Sequence, residues 1–347
     1  MDLSFVHDGV FVAIIAHGLI GITLVWDKIL LRQPETRNLV SYVFWLGFIS
    51  IFGLVLIFFG FHIPAAPVIG IAFGAGLLQM PAMFFYYGAL KAGEASQTLA
   101  IMGGFSPVAT ALISIPLLRN PIGGKAVFGG FLLLVLGGFV MFISEKTDVR
   151  KVLPNVLLAS ASYGLVNVLQ KLAFDRTNFV SGYVFFTLGT FSGALLLLVR
   201  RKWRRQIFRK EKKRHDPEER REWFWYFVNR FLNGLGSFLV FYAISLTRPA
   251  VVDAITGVRY VVIFAVSYGL TLLRPRLLRE DFSGAVLFGK TVATGLVVAG
   301  LVLIGLQGGG AESQSTQLQR KAVTTAAALR RMPPESPPPS GATRLFL

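Results

Sequence analysis

Residues 85–118 read FYYGALKAGEASQTLAIMGGFSPVATALISIPLL, and residues 241–273 read FYAISLTRPAVVDAITGVRYVVIFAVSYGLTLL. Laid over each other at a shift of 156, they fall in step after the first aromatic: Tyr86 meets Tyr242, Leu90 meets Leu246, Ala109 meets Ala265 and Leu117 meets Leu273. Further on, GGFVMFI from Gly137 lines up with AGLVLIG from Ala299. Earlier, GITLVWDK from Gly21 to Lys28 lines up at a different shift with GLVNVLQK from Gly164 to Lys171. Apolar sequences match easily by chance, but three matches in the same order point to a duplicated unit.

The flanking sequence gives the size of that unit. Only 15% of the 347 residues are charged and 54% are hydrophobic, against about a quarter charged in ordinary soluble chains. Apolar runs lie at 9–31, 38–60, 66–91, 95–118, 124–144, 153–174, 179–199, 222–246, 249–273 and 284–306. Each is near the roughly 20 residues that a helix needs to cross a bilayer. Barrel strands would alternate apolar and polar residues, whereas LLLVLGGFVMFI (132–143) is apolar all round. The expected fold is an all-α integral membrane protein of ten transmembrane helices. It divides into a first five-helix repeat (1–151), a second (152–307) and a disordered tail (308–347). The tail's 320–331 part is a candidate surface helix. An odd number of helices per repeat inverts the second copy relative to the first, the arrangement of alternating-access carriers.

The formal charge of +17 is unevenly placed. Residues 200–222 (RRKWRRQIFRKEKKRHDPEERRE) hold twelve Lys and Arg. A block like this outside a membrane protein would raise nucleic acid as a partner; between two spans it reads as a cytoplasmic loop. Trp203, Ile207 and Phe208 are expected to dip into the headgroup layer. Loops after the odd-numbered spans carry most of the other basic residues, so they are expected to be cytoplasmic, with both termini outside. The first residues, MDLSFVHDGV, lack the basic region of a secretory signal, so the first apolar run is expected to be retained.

The chain has no cysteine, and its four histidines, at 7, 17, 62 and 215, show no helical pair spacing. No metal or other cofactor is expected.

Charges inside the bilayer are functional candidates by default. On the eighth span, Arg230, Asn233, Gly234 and Ser237 make a polar stripe expected to face other helices, with Asn229 spaced i,i+4 from Asn233; the alternative for Arg230 is to snorkel to the interface. On the ninth span, Asp253 is near the outer end, Arg259 is near mid-depth, and Thr256 lies between them. Arg259 needs an acceptor: Asp253 if the helix unwinds at Gly257, a carboxylate elsewhere, or the acidic group of a substrate, which suits an Arg fork. Tyr260 adjoins Arg259. The repeat sets Gln97 opposite Asp253 and Gly103 opposite Arg259, so the polar site should be built chiefly by the second copy. Gln79, Tyr86 and Tyr87 on the third span, and Asn167 and Gln170 on the sixth, are further candidates for substrate contact, although such residues also join helices. Pro81 and Pro107 are expected to kink their helices and turn carbonyls toward a cavity. Asp253 and His17 are candidates for proton coupling.

The aromatic FYYGALKAGEAS, the Pro-containing GGFSPVATALISIPLL, the Gly-rich FGGFLLLVLGGFVMFI and the VWDKILL at the end of the first span resemble the drug/metabolite transporter superfamily, specifically its EamA-type ten-helix members. The resemblance covers residues 9–306. It implies secondary transport, often efflux, of an amino acid, metabolite or drug-like solute through a cavity between the halves, in a bacterial inner membrane. Two departures stand out. LLRNPIGG (117–124) replaces the acidic residue usual after the fourth helix, and the cytoplasmic termini assumed for such carriers conflict with the loop charges. The expected partners are a small-molecule solute and the lipid bilayer, with no nucleic acid. Two other classes remain open. One is a membrane-embedded enzyme clamping a lipid phosphate with Arg230 and Arg259, against which stands the lack of a paired acid/base set. The other is a scaffold or receptor, which leaves the repeat without a use.

Overall fold

The computed structural model describes residues 8–30, 38–92, 95–118, 124–144, 149–208, 217–273, 284, 288–289 and 291–304. All regular structure among them is helical. The helices are α1 (Gly9–Leu30), α2 (Leu39–Ile49), α3 (Ala66–Ala92), α4 (Ala95–Leu117), α5 (Lys125–Ser144), α6 (Leu153–Phe174), α7 (Phe179–Leu197), α8 (Arg201–Ile207), α9 (Pro217–Leu246), α10 (Pro249–Ala254), α11 (Gly257–Leu273) and α12 (Thr291–Ile304). Among the described residues four helical stretches are long and apolar enough to cross a membrane: Leu39–Phe58, Ala66–Ala92, Leu153–Phe174 and Phe179–Leu197. The disordered tail and the 320–331 helix expected from sequence lie outside the described residues. Residues 1–305 pack as one compact unit.

Local chemistry sets several of the helix starts. Asp8 accepts from the Val10 N–H at 2.9 Å ahead of α1. Asn38 accepts from Val40 and Ser41 ahead of α2, and Asn178 from Ser181 ahead of α7. Each supplies a side-chain acceptor to an orphan N–H of the first turn. Pro154 and Pro249 sit in the first turns of α6 and α10, where a missing N–H costs nothing. Three differences from the sequence expectation appear. The span from 38 to 60 is α-helical only to Ile49 and tightens to a 3-10 helix over Ser50–Phe58. At that junction Ser50 Oγ donates to the carbonyls of Gly47 and, on α7, Thr187. The basic stretch is not all loop: α8 forms inside it, and α9 begins at Pro217. The span from 249 to 273 is broken into α10 and α11.

The burial pattern is that of a chain solvated by lipid. Phe52, Phe58, Ile143, Val199 and Phe231 are exposed, each by more than 70%. Meanwhile His17, Gln79, Thr110, Asn167, Gln170 and Asp253 are buried. Bilayer helices gain little from burying apolar surface against one another, so close backbone approach and internal polar contacts hold them together. The α3–α7 crossing is the extreme case. A Cβ at Gly76 would lie 2.1 Å from the Phe186 carbonyl oxygen, and one at Gly189 would lie 2.1 Å from that of Phe73. The prolines serve the same packing. Pro107 has no N–H for the Gly103 carbonyl, and that oxygen lies 2.8 Å from where a Cβ on Gly138 of α5 would be. The expectation that Pro107 turns a carbonyl toward a cavity is therefore corrected: the freed group faces a glycine on the neighbouring helix.

Side-chain pairs fix the helix directions. Thr23–Asn233 and Ile20–Gly236 make α1 and α9 antiparallel. Ala72 packs near Ala173, and Ala89 near Val156, so α3 and α6 are also antiparallel. Ile101 with Val156, and Thr110 with Gly164, make α4 and α6 parallel. His17 with Arg259, and Gly21 with Val262, make α1 and α11 parallel. In α5 and α12, Gly130 meets Ile304 and Gly137 meets Val297, so this pair is antiparallel. One end of the bundle therefore carries the starts of α2, α4, α6 and α9; the starts of α1, α3, α5, α7 and α10 lie at the other.

Candidate functional site at a broken helix

The break between α10 and α11 is one lost turn of regular hydrogen bonding. Thr256 N donates to Asp253 O, Val258 N to Ile255 O and Arg259 N to Thr256 O. Each is an i−3 bond in place of the i−4 bond of an α-helix. The Val252 carbonyl thereby loses its usual donor, the Thr256 N–H, and in its place His17 Nε2 from α1 lies 2.9 Å away. An imidazole from another helix thus completes the peptide hydrogen bonding, the kind of repair that broken helices in bilayers require.

The other side of the same ring meets the second half-helix. Arg259 Nε donates to His17 Nδ1 at 2.9 Å. A guanidinium N–H can only donate, so Nδ1 must present its lone pair and Nε2 must carry the hydrogen given to Val252. Geometry alone assigns the tautomer. His17, 1% exposed, is a clamp across the break, tied at once to α10 and α11.

Asp253, near the end of α10, has different direct partners. Its carboxylate accepts from Thr110 Oγ1 on α4 and from Asn167 Nδ2 on α6 at 2.9 and 3.1 Å. Arg259 lies within electrostatic reach of it. A direct Asp253–Arg259 pair was one of the sequence options; the carboxylate's hydrogen bonds go instead to neutral donors. Both charges oppose the local helix dipoles, with an acid at a C-terminus and a base in a first turn. This explains why each is secured by side chains from other helices. Four helices (α1, α4, α6 and the broken pair α10/α11) meet here.

A second polar group runs inward from α9. Arg230 donates to the Tyr42 hydroxyl and lies over the Tyr42 ring, 5.4 Å from its centroid. Tyr42 contacts Tyr87 edge-on at 4.7 Å, Tyr87 contacts Tyr86 at 4.9 Å, and Tyr86 contacts Tyr163 at 6.1 Å. Tyr163 is within electrostatic reach of Arg259. Four tyrosines from α2, α3 and α6 thus form a lane between the two arginines.

The structure brings together Asp253, Arg259, His17, Asn167 and Thr256 at the break, and Tyr86, Tyr87 and Arg230 along the lane. Asn233 instead bonds Thr23 of α1 at 3.0 Å, a helix-joining role. Gly234 is exposed, so the stripe on α9 does not face inward along its whole length. Gln170 is fully buried with neither amide atom hydrogen-bonded, and Gln79 Oε1 and Ser160 Oγ are in the same condition. The side chains of Gln97 and Tyr260 lie outside the described residues. Ile207 and Trp203 pack against α2 and α3; Phe208 is exposed. Among the described residues no cluster of three or more acidic or histidine side chains could hold a metal ion.

Sequence reasoning did not single out Thr110, Tyr42 or Tyr163. Threonines and tyrosines are common in bilayer helices, and nothing in their local sequence marks these three.

No family model matches the chain, and no curated relative matches it. A solved crystal structure of a protein is similar in fold, with a TM-score of 0.53 at 18% identity, covering 86% of this chain and 98% of that one. At that identity the likeness speaks for the fold alone.

Proposed function

We propose that the chain is a secondary transporter of a small polar or amphipathic solute, built from ten membrane helices in two inverted five-helix repeats, as its resemblance to EamA-type carriers implies. The observation that carries this reading is the broken helix with Asp253 and Arg259 at its break, enclosed by helices from both halves. Discontinuous helices at a repeat interface are where secondary transporters bind their substrates.

The packing supports the inverted pairing. In the repeat alignment α1 corresponds to α6, α3 to α9, and α4 to α10/α11. The antiparallel pair α1/α9 then has its counterpart in α6/α3, and the parallel pair α1/α11 in α6/α4. The aligned glycines 21 and 164 each face the parallel partner helix, about one turn out of register, since Thr110 aligns with Val266 while Gly21 meets Val262. A Cβ on Gly21 would lie 3.2 Å from the Arg259 carbonyl oxygen, and one on Gly164 would lie 2.9 Å from Thr110 Oγ1. The end of the bundle carrying α8 and the basic stretch is the cytoplasmic side in this reading, by the retention of positive charge.

The test is uptake into proteoliposomes across amino acids, nucleosides and amphipathic cations, comparing wild type with Arg259→Gln and Asp253→Asn. Uptake of at least one solute by wild type, with a loss of tenfold or more in Arg259→Gln, is expected. If wild type moves no solute, or the variants match it, the reading with this site fails.

A further inference from the structure

Resting on the transport reading, the geometry points to a narrower ligand: we infer that the adjacent His17 and Arg259 receive the acidic group of a small organic anion, and that His17 takes up a proton as it binds, so that proton and anion bind together.

The argument starts from the bonding of His17. Its two ring nitrogens are both engaged, Nε2–H with Val252 O and the Nδ1 lone pair with Arg259 Nε–H. A proton from water can add only at the Nδ1 lone pair. The new Nδ1–H then points at another N–H, and the bond to Arg259 is lost. The Nε2–H bond to Val252 survives, because that nitrogen donates in both states. Protonation therefore keeps the clamp on α10 and turns the Arg259 Nε–H and the new Nδ1–H into two neighbouring donors that a single acidic group can accept from. No other bond forms or breaks, and the charge of the site rises by one.

The groups around His17 set the sign of the coupling. From α11 it faces Arg259. From α10, Asp253 is one residue beyond Val252, and its carboxylate already accepts from Thr110 and Asn167, which fills most of its roughly four acceptor positions. From α9, the antiparallel register that pairs Thr23 with Asn233 sets Leu239 opposite His17. Arg230 is then about nine residues away, or some 13 Å along the axis. An imidazolium beside a guanidinium is a strong anion site, since an acidic group pairs with both. Each ligand makes the other's binding easier, and this reciprocity is required by linkage.

One further feature describes the anion. Tyr163 lies four residues before Asn167 on α6, on the Arg259 side of the break, and is within electrostatic reach of Arg259. The tyrosine lane that it ends suits an apolar or aromatic body attached to the acidic group.

The experiment uses the full chain in proteoliposomes with benzenesulfonate, a permanent monoanion, and benzyltrimethylammonium, a permanent cation of similar body; phenylalanine is the zwitterion. Wild type should accumulate benzenesulfonate about tenfold more for each pH unit of gradient, acid outside, as one coupled proton requires. His17→Gln should show no response to the gradient, while His62→Gln keeps it. If wild type moves phenylalanine or the cation but not the sulfonate, the anion assignment is overturned and transport stands. If His17→Gln keeps the gradient response, the proton assignment is overturned. If nothing moves, both readings fall. A measurement on wild type removes dependence on the variant's folding. In ¹⁵N-histidine-labelled protein, one ring should change from the Nε2–H form to the doubly protonated form when benzenesulfonate is added. Four unchanged rings would overturn the proposal.

Discussion

The hydrogen bond from Thr110 to Asp253 ties α4 to α10, and its contribution can be isolated. Asp253 is 6% exposed, and Thr110 is fully buried. Thr110→Val keeps the shape and removes the donor. Two scales compete for the size of the effect: interhelical hydrogen bonds in bilayers average about 0.6 kcal/mol, while those to charged groups contribute about 1.5–3 kcal/mol. The acceptor here is a carboxylate screened from solvent by four helices, so the larger scale governs. The expected loss of unfolding free energy is about 2 kcal/mol. In an Asp253→Ala background the hydroxyl has no carboxylate to lose, and the same substitution should cost less than about 0.5 kcal/mol. The assay is reversible unfolding by SDS in mixed micelles, followed by tryptophan fluorescence, on the four proteins of the cycle. The expected coupling is about 1.5 kcal/mol. Equal costs of Thr110→Val in both backgrounds would refute the claim that this contact joins the helices.

Three other outcomes are expected. Gly76→Ala should lower the melting temperature of the detergent-solubilised protein steeply, because the new methyl meets backbone, whereas Gly74→Ala on the same helix meets nothing within 4 Å and should be neutral or gain up to about 1 kcal/mol; equal effects would contradict the α3–α7 crossing. Gln170→Leu should raise stability by about 1 kcal/mol, because an unpartnered buried amide is removed; an unchanged or lowered stability would show that the amide is satisfied by a ligand or water. Reporter fusions at Arg209 and at the carboxyl terminus should report opposite sides of the membrane; the same side for both would break the ten-helix count.

Much of the helical scaffold was legible because apolar run length is a one-dimensional property. The runs at 66–91 and 153–174 appear as α3 and α6 within a residue of their expected ends. The buried Asp253 and the half-buried Arg259 were legible for the same reason: an ionised group in an apolar run stands out without any knowledge of its neighbours. What could not be read was partnership. Thr110 is 143 positions from Asp253, and His17 is 242 from Arg259, and such pairings depend on how helices cross. The break was legible only in part. Gly257 marked a weak point, but the i−3 bonding at Ile255 and Thr256 becomes possible because His17 takes over the Val252 carbonyl, and that depends on α1.

On the proposed duplication, the same reasoning explains why the polar site occurs once. By the alignment of the two copies His17 corresponds to Ser160, and Arg259 to Gly103. At the second junction a serine whose buried hydroxyl is unpartnered replaces the clamp, and a glycine lying against Gly138 replaces the arginine. An arginine at the middle of a bilayer helix costs about 2.5–3.5 kcal/mol on insertion scales. A second copy would carry that cost again. It would also place a guanidinium where the α4–α5 crossing needs backbone contact. If the inverted halves enclose one shared cavity, a single broken helix serves both of its faces. The first copy is then free to use its equivalent positions for close packing, which holds fixed the helices against which α10 and α11 must move.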